Sequence, residues 1–296
     1  MSATLPGPSL TTTMLDVDGV TRTFGSGRTA THALRGVSFT VQAGQLVALR
    51  GRSGSGKTTL LNIVGGLDLP DGGRVRVADH DVTAMSEHER LRLRRTSVAF
   101  IFQSFGLIPI LSAGENVGVP LRIAGVAPKE REERVRLMLD IVGLGDCRNR
   151  RPDQMSGGEQ QRAAIAVALV NNPKVLLADE PTGELDTVTA AEVFSALQKA
   201  NAELGVTVLI VTHDPAVSGV VRRTIAIRDG RTSTETHRQV LGGQAAQHAV
   251  EYAVLDRAGR LQLPREMTEP LGMRDLVRLE AEPDHIGVWP DERKPQ

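Results

Sequence analysis

An apolar run at residues 45–50 leads directly into Gly51-Arg52-Ser53-Gly54-Ser55-Gly56-Lys57-Thr58, and a helix-forming run follows at residues 59–64. The spacing fits G-x-x-x-x-G-K-[ST], in the strand–loop–helix setting that a phosphate-binding loop requires. Gly51, Gly54 and Gly56 let the backbone approach an anion without Cβ clashes, so that loop N–H groups and the positive end of a helix face it. Lys57 is expected to reach the β- and γ-phosphates and Thr58 to hold Mg²⁺ through its hydroxyl. Arg52, Ser53, Ser55 and Thr59 complete the turn as nucleotide-binding positions.

A second element fits the first. Residues 175–180 read Val-Leu-Leu-Ala-Asp-Glu, a buried strand ending in two carboxylates. Asp179 suits the metal, because Mg²⁺ is a hard cation satisfied by one carboxylate, a hydroxyl, nucleotide oxygens and waters. Glu180 suits the attacking water. Further short runs rich in Val, Ile and Leu lie at 98–102, 206–212 and 224–228, alternating with helical patterns. This predicts an α/β domain with a largely parallel sheet. Ser86 with Glu89 reads as a capping box. Val135, Met138, Leu139 and Val142 share one helical face.

Composition removes other classes. The single cysteine cannot form an internal disulfide framework, and Cys147 is expected as a small packed side chain. The 35 basic and 35 acidic residues balance, so no global charge draws the chain to nucleic acid or anionic lipid. No stretch reaches the roughly 18 to 20 apolar residues of a spanning helix, which predicts a soluble chain. Residues 1–13 lack the basic and apolar regions of a signal peptide and read as a disordered lead.

Residues 155–162, Met-Ser-Gly-Gly-Glu-Gln-Gln-Arg, resemble the signature of the ATP-binding-cassette (ABC) ATPases, with Met at the first place and Glu at the fifth. The resemblance covers residues 14–231. It implies a P-loop NTPase fold with a RecA-like core and a helical subdomain at about 104–170. It also implies that Ser156, Gly157 and Gly158 cradle the γ-phosphate of ATP held by a second copy, in a head-to-tail homodimer. Gln103 matches the glutamine that touches Mg²⁺ and the attacking water, and His213 the switch histidine at the γ-phosphate. Asp186 closes Gly-Glu-Leu-Asp, the loop that crosses between subunits, although Glu184 stands where relatives usually carry Asn. Phe24 matches the ring that stacks on adenine, a position that a core Phe would fill equally well on sequence alone. The implied catalytic group is therefore Glu180, His213, Gln103 and Lys57, acting on ATP with Mg²⁺ at Thr58, Gln103 and Asp179.

Within the family, residues 102–109, 115–117 and 177–183 resemble the macrolide-exporter and lipoprotein-releasing group. That implies an ATPase at the cytoplasmic face of the membrane, peripheral through a separate integral permease, with the apolar run 105–111 receiving a helix of that permease or packing internally. Soluble cassettes acting on DNA or ribosomes are the alternative class, but the inserts and second cassette that mark them are missing here. Polar residues from Thr232 suggest a linker over 232–249. Residues 250–296 then resemble the AbrB-type swapped hairpin, through Asp256-Arg257-Ala258-Gly259-Arg260 and Leu263-Pro264-Arg265-Glu266. The expectation is a small, mainly β dimerisation element with Leu261 and Leu263 on one strand face and a turn at Gly259. Arg257, Arg260 and Arg265 are too few for DNA contact to be expected.

Overall fold

The computed structural model describes residues 12–238, 249–255, 259–273 and 277–290. Its centre is a seven-stranded sheet. Strands β3 (Leu46–Arg50), β6 (Val98–Ile101), β7 (Val175–Asp179), β8 (Thr207–Thr212) and β9 (Arg223–Arg228) are parallel, in the order β9-β3-β8-β7-β6. These are the apolar runs read in the sequence, with ends shifted by a residue at Gln45, Phe102, Val206 and Arg223.

Their continuous hydrophobicity has a simple cause. Leu176 and Ala178 of β7 enter one core, with Val208 and Ile210 of β8. Leu177, Leu209 and Val211 enter the core on the opposite face. A parallel strand covered on both faces needs apolar side chains at every position, not at alternate ones.

The first core is covered by α3 (Ala113–Ile123), α4 (Pro128–Ile141), α5 (Gly157–Leu169) and α6 (Thr187–Leu204). Val135, Met138, Leu139 and Val142 are buried there, as their spacing predicts. The capping box opens α2 (Glu87–Thr96), with the Ser86 hydroxyl accepting from Glu89 N and the Glu89 carboxylate accepting from Ser86 N. Cys147 is buried, and its thiol donates to Glu159 at 3.3 Å. Burial, and then that carboxylate, push the thiol up in pKa, which opposes thiolate formation.

The second core is roofed by an antiparallel sheet with no counterpart in the sequence reading. It comprises β1 (Thr13–Phe24), β2 (Thr31–Gln42), β4 (Gly72–Val77) and β5 (His80–Asp81), in the order β2-β1-β4-β5. With α1 (Lys57–Val64) they bury Leu15, Val17, Leu34, Val37, Val75 and Val77. Register shifts between Val17 and Val20 interrupt the alternation in β1, which hides its period from inspection.

The linker expected over 232–249 is instead, in its first part, strand β10 (Arg231–Arg238), paired antiparallel to β9 and to β11 (Ala249–Ala253). Its polar composition misled. The backbone groups of Thr232–His237 are satisfied by ladders, and Ser233 and Thr234 are buried. Residues 239–248 lie outside the described residues, as do 1–11 of the expected lead, while Thr13 already belongs to β1. Beyond β11, the strand expected at Leu261 and Leu263 does not form. That stretch is irregular and runs into a short helix, α8 (Arg265–Thr268), although Gly259 does turn with φ of 73°. Strands β12 (Val277–Ala281) and β13 (Ile286–Pro290) make a separate antiparallel hairpin.

Candidate nucleotide site

The parallel strands deliver their C-terminal ends to one edge of the sheet, where open α/β sheets bind ligands. Residues 51–58 follow β3, Glu180 follows β7, and His213 follows β8. The β6–β7 register pairs Ile101 with Ala178, so Gln103 and Glu180, each two residues further on, leave the sheet at the same level.

The loop is built to wrap something. Gly54 and Gly56 take φ of 77° and 92°, a region that L side chains rarely adopt. A methyl at Gly56 would run into the Ala33 carbonyl, and one at Gly51 into the Ile227 carbonyl. Gly56 caps α1 without a side-chain hydrogen bond, and no acidic residue lies in that helix's first turn. The N-terminal N–H groups of α1 thus have no side-chain acceptor, the condition that favours a phosphate there. Ser55 Oγ is buried without a partner among the described residues. Lys57, 5% exposed, donates from Nζ to the carbonyls of Gly51 at 2.8 Å and Arg52 at 3.0 Å, which folds its charge over the loop. Arg52, Ser53 and Thr58 are exposed, and Thr59 is half-buried. An orphaned hydroxyl, an uncapped helix and a cradle that a Cβ would fill all fit a nucleotide phosphate chain.

Thr58 Oγ1 donates to Asp179 Oδ1 at 3.3 Å, so the two residues suited to Mg²⁺ already face one another. Burial raises the Asp179 carboxyl above its ordinary value of 3.8, and neighbouring Glu180 adds to this. The Thr58 hydrogen bond and the Lys57 charge act the other way. A cation beside Asp179 would relieve the first two effects. Glu180 holds a left-handed backbone with φ of 47°, rare for a side chain of this kind. Its N–H donates to the Val211 carbonyl at 2.9 Å, and its carbonyl accepts from Gly183 N at 3.0 Å. Its carboxylate lies 3.0 Å from His213 Nδ1. An imidazole donating Nδ1–H to Glu180 orients the carboxylate. Together these groups could bind a nucleotide triphosphate with a divalent cation and place a base against water.

The other expected site residues stand apart. Gln103 is exposed at the sheet edge. Phe24 is 45% exposed with the Arg22 guanidinium 5.0 Å from its ring centroid, so it is no core residue. It pairs with Thr31 at the end of the ladder whose Ala33 and Leu34 close on Gly56. Ser156 caps α5 in a capping box: its hydroxyl accepts from Glu159 N at 3.2 Å, and Glu159 accepts from Ser156 N at 2.8 Å. A Cβ at Gly158 would run into the Thr189 methyl, and one at Gly157 would be tight against Leu185. Within one chain no hydrogen bond joins residues 156–158 to residues 51–58 among the described residues. Asp186 caps α6, accepting from Val188 N at 3.0 Å, Thr189 N at 3.1 Å and Thr189 Oγ1 at 2.6 Å. The Thr189 hydroxyl, followed by its N–H, holds the Asp186 carboxyl below its ordinary value.

Asn116 has a role the sequence did not reveal. Buried at the base of α3, it accepts from Ile108 N at 2.7 Å and donates to the carbonyls of Ile108, Leu111 and Ser112. This clamps the segment after Gln103. Phe105 and Leu107 turn partly inward, while Phe102, Ile108 and Ile110 are 51%, 41% and 74% exposed.

Comparison with known proteins points the same way. A family model described as "ABC transporter" matches residues 34–183. The macrolide export ATP-binding/permease protein MacB of Syntrophobacter fumaroxidans is 45% identical over 225 residues, covering 75% of this chain and 32% of that protein. Its namesake in Chromobacterium violaceum is 47% identical over 216 residues, 73% of this chain and 33% of that one. The chain thus spans about a third of the length of these relatives. Among solved structures, the ATP-binding cassette MJ0796, a dimer in a post-hydrolysis state with ADP and Pi, superposes with a TM-score of 0.69 at 39% identity. It covers 77% of this chain and 100% of that one. The cassette cbiO1 of Clostridium perfringens, part of the transporter complex cbiONQ, gives a TM-score of 0.70 at 28% identity over 75% of this chain and 88% of that one.

Proposed function

The chain belongs to the ABC transporter family, and from that premise we propose that it is an ATP-hydrolysing, nucleotide-binding subunit which works as a homodimer and powers an integral membrane permease. The observation that carries this is the convergence on one sheet edge of residues 51–58, the Thr58–Asp179 pair and the Glu180–His213 pair. Residues 51–59 hold the phosphates, with Lys57 neutralising charge on the β- and γ-oxygens. Thr58, Gln103 and Asp179 hold Mg²⁺, which when bound supplies charge neutralisation at those oxygens. Glu180 orients the water and takes its proton, while His213 positions Glu180 and faces the γ-phosphate. Phosphoryl transfer asks for this placement and charge balance rather than for a covalent intermediate. Ser156, Gly157, Gly158 and Asp186 act across the interface on the partner's nucleotide, and Phe24 stacks on adenine.

Among the described residues no helix is long and apolar enough to cross a membrane. The likeness to an ATP-binding/permease protein and to part of a transporter complex supports membrane association at the cytoplasmic face through a permease. The exposed Phe102, Ile108 and Ile110 give such a partner an apolar place to dock. The named relatives are described as macrolide export and transporter proteins, which favours export over action on DNA or ribosomes.

The finer reading of the C-terminus narrows to residues 277–290. Register pairs Leu279 with Val288 and Ala281 with Ile286 on one face, and Leu279 and Ile286 are 66% and 69% exposed. An isolated two-stranded hairpin is marginal in water, so pairing with a second copy, as in an AbrB-like element, would account for it.

Replacement of Glu180 by Gln tests the hydrolase reading. The amide still hydrogen-bonds water but cannot accept its proton, so ATP binding should persist, turnover should fall by about a hundredfold or more, and an ATP-bound dimer should accumulate on size exclusion. Normal turnover in this variant would remove Glu180 from its role.

A further inference from the structure

The C-terminal segment comes back to the phosphate loop. Gln262, Leu263 and Glu266 line a cavity of about 1520 Å³ that they share with Gly51–Ser55, Glu180 and His213. The volume exceeds the roughly 300 to 1,000 Å³ of pockets shaped for one small ligand, and strands β9, β10 and β11 share its walls. Glu266 fastens the segment at its rim. Arg228 Nη2 donates to both carboxylate oxygens at 3.3 Å. The residue's own N–H, and then Arg228 and Arg50, hold that carboxyl below its ordinary value of 4.5. Arg50 is the last residue of β3, immediately ahead of the loop. Gln262 Oε1 is buried in this contact without a hydrogen-bond partner among the described residues, so the seat is incompletely satisfied and suited to release.

We propose that residues 259–273 are an autoinhibitory strap over the phosphate loop. The proposal rests on the dimeric reading above, in which the partner's Ser156–Gly158 must reach the γ-phosphate beside Glu180 and His213. The strap stands on that approach, because it walls the same cavity. Two cassettes therefore close only after Glu266 leaves Arg228. The contact is ionic and partly exposed, with side chains 35% and 57% accessible, so it is weak enough to be displaced by a docking partner and is screened by salt.

The test uses the full chain as wild type, as Glu266→Arg, and as the charge-swapped pair Arg228→Glu with Glu266→Arg. None of these positions belongs to the catalytic machinery. Hydrogen exchange without nucleotide should show the loop amides of residues 51–56 exchanging roughly two- to fivefold faster in Glu266→Arg, the factor an exposed ion pair is worth, and near the wild-type rate in the swapped pair. ATPase rates at protein concentrations below dimer saturation should rise by a similar factor in Glu266→Arg and fall back in the pair. Unchanged exchange in Glu266→Arg, a lower ATPase rate in it, or a swapped pair that behaves as the single variant would each overturn the strap. A chain that hydrolyses nothing in any form would overturn the hydrolase reading instead, and the exchange rates would still decide the strap.

Discussion

At Asp179 a carboxylate is held partly buried beside a second carboxylate, Glu180, in a place that suits a cation. Burial and Glu180 raise its pKa, so the folded state favours the protonated form more than the unfolded chain does. The sign follows from that direction. The cost of the charge is fully present above the folded pKa and is relieved as pH falls through it. Asp179→Asn should therefore melt higher than wild type without nucleotide at neutral pH, by roughly 2 °C in a domain of this size, and the gap should shrink on acidification. The same variant should lose the stabilisation that Mg-ATP gives wild type. Calorimetry at neutral and acid pH decides the matter, and equal melting of the two proteins at neutral pH would show that the site stores no such cost.

At the scale of elements, the segment between β6 and α3 joins the proposed catalytic edge to the proposed docking surface. Its start, Gln103, sits at the level of Glu180, and its end is clamped by four hydrogen bonds to Asn116. Phe105 lies near Gly157 at the start of α5, so displacement of this segment would be felt at the turn proposed to face a partner's nucleotide. The division of labour along the apolar run is visible side chain by side chain: Phe105 and Leu107 pack inward, and Ile108 and Ile110 project outward. Ile108→Asp with Ile110→Asp should consequently abolish capture of the permease, by desolvating charge in the contact, while nucleotide affinity and melting temperature stay near wild type. Pull-down with the permease measures this. Full retention of binding by the folded double variant would confine the run to internal packing.

For the whole molecule, a cassette that must find its partner in each cycle gains from a permanent tether. Pairing through β12 and β13 would hold two cassettes at high effective concentration and make nucleotide-driven closure intramolecular. The full chain without nucleotide should be dimeric at micromolar concentration, and a chain lacking residues 277–296 should be monomeric yet still hydrolyse ATP when concentrated. Analytical ultracentrifugation separates the outcomes, and a monomeric full chain would leave the hairpin without this role. The cut falls after β11 for a structural reason. Stopping at Arg231 would strip β10 and β11 from the central sheet.

What the amino-acid sequence determined by itself was local or two-sidedly buried. The phosphate loop follows from glycine spacing, because glycine adopts φ of 77° and 92°, as at Gly54 and Gly56, without the strain a side chain would bring. Strands such as Val175–Asp179 are legible because both faces are covered, leaving an unbroken apolar run. The capping box at Ser86 and Glu89 needs only a three-residue offset. Tertiary structure decided the rest. Strands β1 and β2 lose their alternation at register shifts, and their partners lie far along the chain. Strand β10 reads as a linker because its side chains are polar, while the ladders to β9 and β11 that make it a strand involve backbone groups no composition records. The meeting of Glu180 with His213 and the return of Glu266 to Arg228 are contacts between distant residues, set by strand order and chain return rather than by any spacing within a segment.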